Sequence, residues 1–159
     1  MLLSLDDFFW MYPEKVVDPH TEAEVEALAK LVPGVVEGFH RAAAALAGSG
    51  NNLIIDHVLQ EDEWLDQCLQ CLAEYSVLFV GVKCPLAVLL EREKQRSDRE
   101  PGTAEYQFSK VHSDRIYDVE VDTSVLSPEQ CADEIMRALV DPATGSGFAE
   151  MRKRRIPGR

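Results

Sequence analysis

The chain has 159 residues, of which 46% are hydrophobic, and a formal net charge of −12 at pH 7. This size and apolar content predict one globular domain with its own core, and the acidic balance argues against nucleic acid as a partner because its phosphates would be repelled. No apolar run approaches the ~18 residues that cross a bilayer, and Asp6 and Asp7 stand where a signal peptide would be apolar. We therefore expect a cytoplasmic protein that uses no membrane.

The N-terminal part of the chain predicts two strands separated by helices. The apolar residues 2–5 end at Asp6 and are typical of a short buried strand. A capping box predicts a helix over residues 21–31, and a second helix is predicted over residues 33–47. Residues 52–56 form a second apolar run, closed by a carboxylate, as in a parallel strand that is covered on both faces.

The remainder of the chain continues this alternation. Strands are predicted at residues 76–82 and 117–122, and helices at residues 61–73, 85–96, 106–112 and 127–139. Strands separated by helices indicate parallel βαβ units. The predicted fold class is therefore α/β, a three-layer arrangement of a parallel sheet with helices on both faces, which binds its ligands at the carboxyl edge.

Two further features concern cysteines and the C-terminus. Cys68 and Cys71 form a C-x-x-C pair, but no second pair or histidine group completes a zinc site, so we expect reduced thiols on a helix face and no metal site. Five of the 16 basic residues lie in the last eight positions, behind a stretch of linker composition at residues 141–147. This pattern predicts a flexible basic tail at residues 141–159, following a single domain at residues 1–140.

Carboxylates end two of the predicted strands, at Asp6 and Asp56. In a parallel sheet both would project into one crevice, where a carboxylate can accept a proton from a substrate hydroxyl or help to hold magnesium. Strand-end acids also cap helices, so from the pattern alone both interpretations stay open. His57 follows directly and could line the same crevice, although a lone histidine is more often a structural residue.

Residues 92–99 are rich in arginine and follow a predicted helix. Such a segment can close over a nucleotide, where guanidinium groups neutralise charge on the transferring phosphoryl group. The alternative is a solvated helix end whose neighbouring acids pair with the arginines. The pattern alone favours that alternative.

Five sequence blocks occur in an order and spacing that are more specific than any one block. They are Leu5-Asp6 followed by Pro13, LIIDHV at residues 53–58, VGVKC at residues 80–84, Arg92 through Arg99, and YDVEVDT at residues 117–123. Together they resemble the chloramphenicol phosphotransferase family, ATP-dependent kinases with the fold of the small P-loop kinases. The resemblance extends from Leu2 to the last predicted helix.

The resemblance implies catalytic and nucleotide-binding positions. Asp6 matches the base that takes the proton of the acceptor hydroxyl, and Arg96 and Arg99 match the arginines of the lid. The positions expected near the nucleotide are Arg92, Asp122 and Thr123. ATP and Mg²⁺ are the cofactors that the family implies.

The acceptor of the phosphoryl group is expected to be a small hydroxylated molecule. The resemblance and the aromatic residues after the first strand assign its contacts to Phe8, Phe9, Asp56 and His57. In the family pattern a second acid stands at the position of His57, so a shared role in positioning a metal does not carry over.

A glycine-rich phosphate loop is absent from the sequence. The family begins with a strand and a Gly-x-x-x-x-Gly-Lys-Ser/Thr loop that opens a helix and holds the phosphates and magnesium. Gly48-Ser49-Gly50 does not replace it, because these residues follow a predicted helix and precede a strand. The resemblance makes the missing strand the central one, so the sheet re-forms around the gap, a second copy fills it, or the strand and loop lie upstream of Met1. We expect the last, and we expect ATP and Mg²⁺ to bind poorly to this chain.

Three functions follow from these observations. The first is ATP-dependent transfer of the γ-phosphate to a hydroxyl of a small molecule, impaired or absent in the chain as it stands; chloramphenicol, and with it antibiotic resistance, is implied only by the resemblance. The second is a non-catalytic module that keeps the acceptor side. The third and weakest is a relative of the nucleoside or nucleotide kinases. The acceptor and the formation of a homo-oligomer stay open.

Overall fold

The computed structural model describes residues 1–96, 101–141 and 146–156. In these ranges short strands alternate with helices, and none of the helices is both long and apolar enough to cross a membrane. The strands are β1 (Leu2–Ser4), β2 (Ile54–Asp56), β3 (Val80–Lys83) and β4 (Val119–Asp122). The helices are α1 (Leu5–Trp10), α2 (Glu14–Val17), α3 (Glu22–Gly48), α4 (Asp62–Cys71), α5 (Leu86–Lys94), α6 (Thr103–Val111), α7 (Pro128–Val140) and α8 (Gly147–Arg155). The chain divides into two compact units, Met1–Tyr75 and Ser76–Arg159.

In the first unit, β1 and β2 pair in parallel. Leu2 lies opposite Ile54, and Ser4 lies opposite Asp56. The parallel pairing confirms the predicted α/β class for these strands. Its consequence for function is that both strands end at the same edge of this sheet.

A single helix, α3, replaces the two helices predicted over residues 21–31 and 33–47. The predicted start is confirmed, because Thr21 and Glu24 form the capping box. The predicted break at Pro33 is wrong. Proline removes one backbone hydrogen bond from the helix interior, a cost of about 3 kcal/mol in an isolated helix. Here the following turns are buried in the core, and that packing stabilises the continuous helix.

The core of the first unit lies where α1 and the sheet meet α3. Leu5 from α1 packs with the buried side chains Val35, Val36 and Phe39 of α3. Leu3 of β1 and Ile55 of β2 pack against the same cluster, so one face of the two-stranded sheet is covered. On the opposite face Leu2 and Ile54 are exposed. The alternation along each strand therefore sets which residues face the core.

In the second unit, β3 and β4 form another parallel pair, with Lys83 opposite Asp122. Strand β3 begins at Val80, four residues later than the predicted start at Ser76. The helix after β4 begins as predicted, because Ser127 and Gln130 form a capping box and Pro128 occupies the first turn. The α/β alternation is thus confirmed in both units, while one continuous sheet with helices on both faces stays a prediction.

Helix α8 lies inside the stretch for which the sequence predicts a flexible tail. The side chains of Phe148 and Met151 are buried. The carboxylate of Asp118 accepts hydrogen bonds from the backbone N–H of Gly147 at 2.6 Å and of Phe79 at 2.7 Å. The structure therefore differs from the expectation at residues 147–155, because two apolar side chains and a helix cap are not apparent in a composition dominated by basic residues.

Gly147 provides a test of this packing. A Cβ atom at this position would lie 2.8 Å from the carbonyl carbon of Tyr117 and 2.9 Å from the backbone nitrogen of Asp118, which cannot move aside as a side chain would. We expect Gly147→Ala to lower the free energy of unfolding by about 1–3 kcal/mol, measured by urea denaturation. The control is Gly38→Ala in α3, where nothing lies within 4 Å; it should be neutral or stabilising by up to about 1 kcal/mol. Equal effects of the two substitutions would contradict the packing of α8.

Candidate functional site

Two carboxylates lie at the carboxyl edge of the β1–β2 pair. Asp56 ends β2 opposite Ser4, and Ser4 precedes α1, in whose first turn Asp6 lies. Both acids are exposed, and neither makes a hydrogen bond or ion pair within the part of the chain that the structure describes. The predicted strand end at Asp6 is therefore wrong, because the helix begins at Leu5; Asp56 ends its strand as predicted, and Asp6 lies two residues beyond the end of the neighbouring strand.

Helix α1 separates its residues into two faces. Leu5 is buried, and Phe8 and Phe9 pack against the core, with the ring of Phe8 edge-on to Phe39 at a centroid distance of 5.2 Å. Asp6 and Trp10, four residues apart, are exposed, the indole by 78%. Residues at this spacing are neighbours on a helix surface. The exposed aromatic side chain near Asp6 is therefore Trp10, whereas the predicted substrate contacts Phe8 and Phe9 pack inward.

A buried aromatic cluster contains two histidines. The His57 ring lies 5.0 Å from the ring of His40, 5.3 Å from Phe39 and 5.8 Å from Trp64, on which it stacks. None of the four imidazole nitrogens has a hydrogen-bond partner of ordinary geometry among the described residues, and Gln67 Oε1 also lacks one. The structure thus places the half-buried His57 against the core with both ring nitrogens buried, and its predicted role in substrate binding stays a prediction.

Burial keeps both imidazoles neutral. Removal from water lowers the pKa of His40 to about 4, although the side chain of Gln67 acts in the opposite direction. The pKa of His57 falls to about 3, because burial and then the neighbouring His40 both disfavour its charged form. Neither ring carries charge near neutral pH, so this cluster has no cation to offer an anionic ligand.

At the carboxyl edge of the β3–β4 pair, the end of α5 is joined to the turn after β4. The guanidinium of Arg92 donates to the Thr123 hydroxyl at 3.0 Å and to the Thr123 carbonyl at 2.6 Å. The backbone N–H of Thr123 in turn donates to the carbonyl of Lys83 at 2.9 Å. Arg92 and Thr123, both predicted near the nucleotide, are therefore in direct contact.

Asp122 completes this turn. Its carboxylate accepts the backbone N–H of Ser124 at 2.8 Å, and hydrogen bonds from the side chain and backbone of Ser124 lower the pKa of the Asp122 carboxyl. The predicted group of Arg92, Asp122 and Thr123 is thus brought together by the structure. It forms a polar turn at the end of β4 whose carboxylate stays ionised.

The arginine-rich segment is described only at its ends. Arg96 follows α5, is exposed, and donates its backbone N–H to the carbonyl of Glu93 at 3.0 Å. Arg99 lies outside the described residues. On the far side, the carboxylate of Glu93 accepts the backbone N–H groups of Gly102 at 3.1 Å and Ala104 at 2.7 Å. Sequence reasoning missed Glu93, because no local pattern signals a contact across nine to eleven residues.

Metal and thiol chemistry find no support among the described residues. No group of three or more histidine, cysteine, aspartate or glutamate side chains is placed to hold a metal ion in that part of the chain. Cys68 and Cys71 are free and lie on α4. Burial raises the pKa of Cys68 to about 12, so this thiol is not activated as a nucleophile.

Comparison with known proteins identifies the family to which the chain belongs. The family model for chloramphenicol phosphotransferase-like proteins matches residues 1–140. Two curated relatives from Mycobacterium tuberculosis, strains CDC 1551 / Oshkosh and ATCC 25618 / H37Rv, are each described as a "Putative O-phosphotransferase" and are 31% identical over 115 residues. The match covers 72% of this chain and 51% of each relative. The chain thus spans about half the length of the curated relatives that it matches.

Proposed function

Because this chain belongs to the chloramphenicol phosphotransferase-like family, we propose that it provides the acceptor side and the arginine segment of an O-phosphotransferase. The enzyme would transfer the γ-phosphate of ATP to a hydroxyl of a small molecule. One observation supports the proposal: in a chain of this family, Asp56 ends β2 opposite Ser4 and Asp6 lies in the helix turn directly after Ser4, and neither acid has a partner among the described residues. Unpaired carboxylates at this edge are what proton removal from an acceptor requires.

Each group has a step in this proposal. Asp6 accepts the proton of the attacking hydroxyl, and Asp56 helps to orient the acceptor. Arg96 and Arg99 neutralise charge on the phosphoryl group during transfer. The turn formed by Asp122 and Thr123, held by Arg92, lies against the nucleotide base.

The residues present fit the two ligands unequally. ATP would supply the phosphoryl group when bound, and its base would lie against the turn after β4, where the Thr123 hydroxyl and carbonyl already bond Arg92 and Lys83. A magnesium triphosphate is not matched, because the 159 residues contain no Gly-x-x-x-x-Gly-Lys-Ser/Thr sequence and the described residues contain no metal-binding cluster. We therefore propose that nucleotide binding and transfer are weak or absent in this chain by itself, and we assign no step to Mg²⁺.

A second function is a non-catalytic module that binds small molecules. It is favoured by the same sequence observation, the missing phosphate loop, combined with the intact β1–β2 edge. Under this alternative the acceptor side binds its ligand while no phosphoryl group is transferred.

The proposal is tested by comparing two proteins. The first is this chain, and the second is the chain with a strand and a glycine-rich phosphate loop fused ahead of residue 1. Isothermal titration with Mg-ATP should give little heat for the first and clear binding for the second. ATP consumption with a panel of small alcohols that includes chloramphenicol should likewise be low for the first protein and clear for the second.

Two results would decide against this assignment. A folded fusion that binds Mg-ATP but phosphorylates no alcohol would favour the non-catalytic module. Turnover by the unmodified chain at an ordinary enzymatic rate, on the order of 1–10³ per second, would contradict the claim that a phosphate loop is needed.

The cellular location is a further part of the proposal. The four cysteines are free thiols and two of them are buried. Unpaired thiols are typical of a reducing compartment, and a cytoplasmic location would also supply ATP. Localisation of the native protein by fractionation would test this.

A further inference from the structure

Two helices and the loop before one of them bring three polar side chains together in the first unit. His40 lies on α3, Gln67 lies on α4, and His57 lies in the loop between β2 and α4. The ring centroids of His40 and His57 are 5.0 Å apart. Gln67 lies close enough to His40 to favour protonation of that imidazole. These three residues are called the His–Gln cluster below.

The polar atoms of the His–Gln cluster are buried and have no partner in the part of the chain that the structure describes. His40 is only 1% exposed. Its two ring nitrogens, the two ring nitrogens of His57 and Gln67 Oε1 are all closed off from solvent, and none makes a hydrogen bond of ordinary geometry. The large majority of buried side-chain polar atoms in folded proteins have a partner. Their concentration at one place therefore indicates a site for an added polar group.

The outer side of the cluster adjoins solvent. His57 and Gln67 are half-buried, as is Trp64, on which the His57 ring stacks, whereas His40 lies at the inner end. His57 also follows directly after Asp56, the last residue of β2. A small ligand can therefore reach the buried nitrogens through small movements of side chains that already face solvent in part.

The charge state of the cluster selects a neutral ligand. Burial lowers the pKa of His40 to about 4 and that of His57 to about 3, so neither ring offers a positive charge to an anion at pH 7. A metal ion is not matched, because no group of three histidine, cysteine or carboxylate side chains is placed to hold one among the described residues. Burying an ion without a charged partner is costly.

A hydroxyl group fits the donors and acceptors that remain. Each neutral imidazole has one N–H donor and one bare nitrogen acceptor, and Gln67 Oε1 is a further acceptor. A hydroxyl both donates and accepts, so it can partner groups of either kind. A hydroxyl oxygen lies about 3 Å from a nitrogen that it bonds. Rings with centroids 5.0 Å apart can therefore both contact the same oxygen.

We propose that the His–Gln cluster binds one neutral hydroxyl group between His40, His57 and Gln67. The hydroxyl belongs either to an internal water molecule or to a small alcohol. The inference adds two residues to the ligand contact predicted at His57. It holds whether or not a phosphoryl group is transferred, and its test uses no nucleotide.

NMR spectra of the ¹⁵N-labelled full chain at pH 7 provide the first readout, because they distinguish protonated from bare ring nitrogens. His112 is the standard for a ring bonded to a hydroxyl, since its Nδ1 lies 2.8 Å from the hydroxyl oxygen of Tyr117. His20, with a side chain that is 79% exposed, is the standard for a ring in solvent. We expect His40 and His57 each to show one fixed tautomer, as His112 does. A bound water would add nuclear Overhauser effects between a long-lived water and both rings.

Titration with ethylene glycol tests a small alcohol as the source of the hydroxyl. A bound alcohol should shift the ring-nitrogen signals of His40 and His57 in a saturable way. Gln67→Leu removes one acceptor at similar side-chain size and should weaken the apparent affinity about tenfold. Gln70→Leu is the matched control, because Gln70 lies on the same helix and is exposed; it should leave the affinity unchanged. Benzene, which has no hydroxyl, should cause no such shift.

The outcomes decide between the two sources and against the site itself. Water signals at both rings without glycol binding assign the hydroxyl to an internal water, and saturable glycol binding that is sensitive to Gln67→Leu assigns it to an alcohol. Averaged tautomers at His40 and His57, with neither a long-lived water nor glycol binding, would overturn the proposal. Benzene binding with the affinity of glycol would also overturn it, because the site would then recognise apolar shape and not a hydroxyl.

Discussion

Lowering the pH from 7 to 5 is expected to reduce the free energy of unfolding by about 4 kcal/mol, because two imidazoles whose nitrogens are buried resist protonation in the folded state. The pKa values of His40 and His57 lie at about 4 and about 3 in the folded protein. In the unfolded chain they return to about 6.5. Between these values the unfolded state binds more protons, so stability is fully present above pH 6.5 and falls as the pH drops.

The geometry explains why the neighbouring groups do not restore the pKa values of the two imidazoles. Phe39, Trp64 and the two imidazoles form one contiguous set of rings. The side chain of Gln67 favours protonation of His40, but burial dominates. Each ring contributes about 2 kcal/mol between pH 7 and pH 5, and the two contributions add because neither ring is protonated in the folded state in this range.

Urea unfolding at pH 7, 6 and 5 measures this dependence. His57→Phe retains a ring against Trp64 and removes one titrating group, so the loss of stability between pH 7 and pH 5 should fall by about half. His20→Gln is the control for loss of a histidine outside the cluster, since the His20 side chain is 79% exposed and lies 3.7 Å from the carboxylate of Asp18. If His57→Phe retains the full pH dependence, the buried pair is not its source.

Much of the fold could be predicted from local sequence patterns. The capping boxes at Thr21 and Ser127 are confirmed, since a cap depends only on residues three positions apart. The break at Pro33 was predicted wrongly, because the penalty for proline is local while the burial of the following turns is not. Helix α8 was not predicted for a similar reason. The first residue of this helix bonds to Asp118, which is distant in sequence.

The candidate site, too, could be predicted only where it depends on local sequence patterns. The rule for parallel strands predicts Asp6 and Asp56 at one edge. The register places Asp56 opposite Ser4, the last residue of β1, whereas Asp6 lies in α1 and not at the predicted strand end. The sequence could not reveal that Phe8 and the His57 ring both pack onto Phe39, because both contacts depend on which face of an element meets α3. Glu93 was missed because its partners are Gly102 and Ala104 across the arginine segment.

Replacing Asp6 by asparagine is expected to lower turnover by about 10²–10⁴-fold, the usual contribution of a general base. The measurement requires a form that transfers phosphate, such as the fusion with a phosphate loop described above. Asparagine has nearly the same shape but cannot accept a proton at neutral pH. Affinity for ATP should stay nearly unchanged, because the role proposed for Asp6 is at the acceptor and not at the nucleotide, so the loss should appear in kcat.

Asp7→Asn is the matched control for this substitution. Asp7 is also exposed in the first turn of α1 and also lacks a partner among the described residues. The two substitutions therefore remove the same charge from neighbouring positions, and they differ only in which direction the side chain leaves the helix. A large loss of kcat for Asp6→Asn with a small loss for Asp7→Asn would show that the position of the carboxylate matters, and not merely a negative charge at the start of α1.

Substitution of Asp56 tests whether Asp56, and not Asp6, is the general base. It ends β2 opposite Ser4, so its carboxylate approaches the sheet edge from the neighbouring strand. If Asp6→Asn leaves kcat unchanged while Asp56→Asn lowers it strongly, the base belongs to β2. In that case Asp6 serves only to begin α1. If both substitutions lower kcat and the double variant is no worse than either alone, the two carboxylates act as one unit on the acceptor hydroxyl.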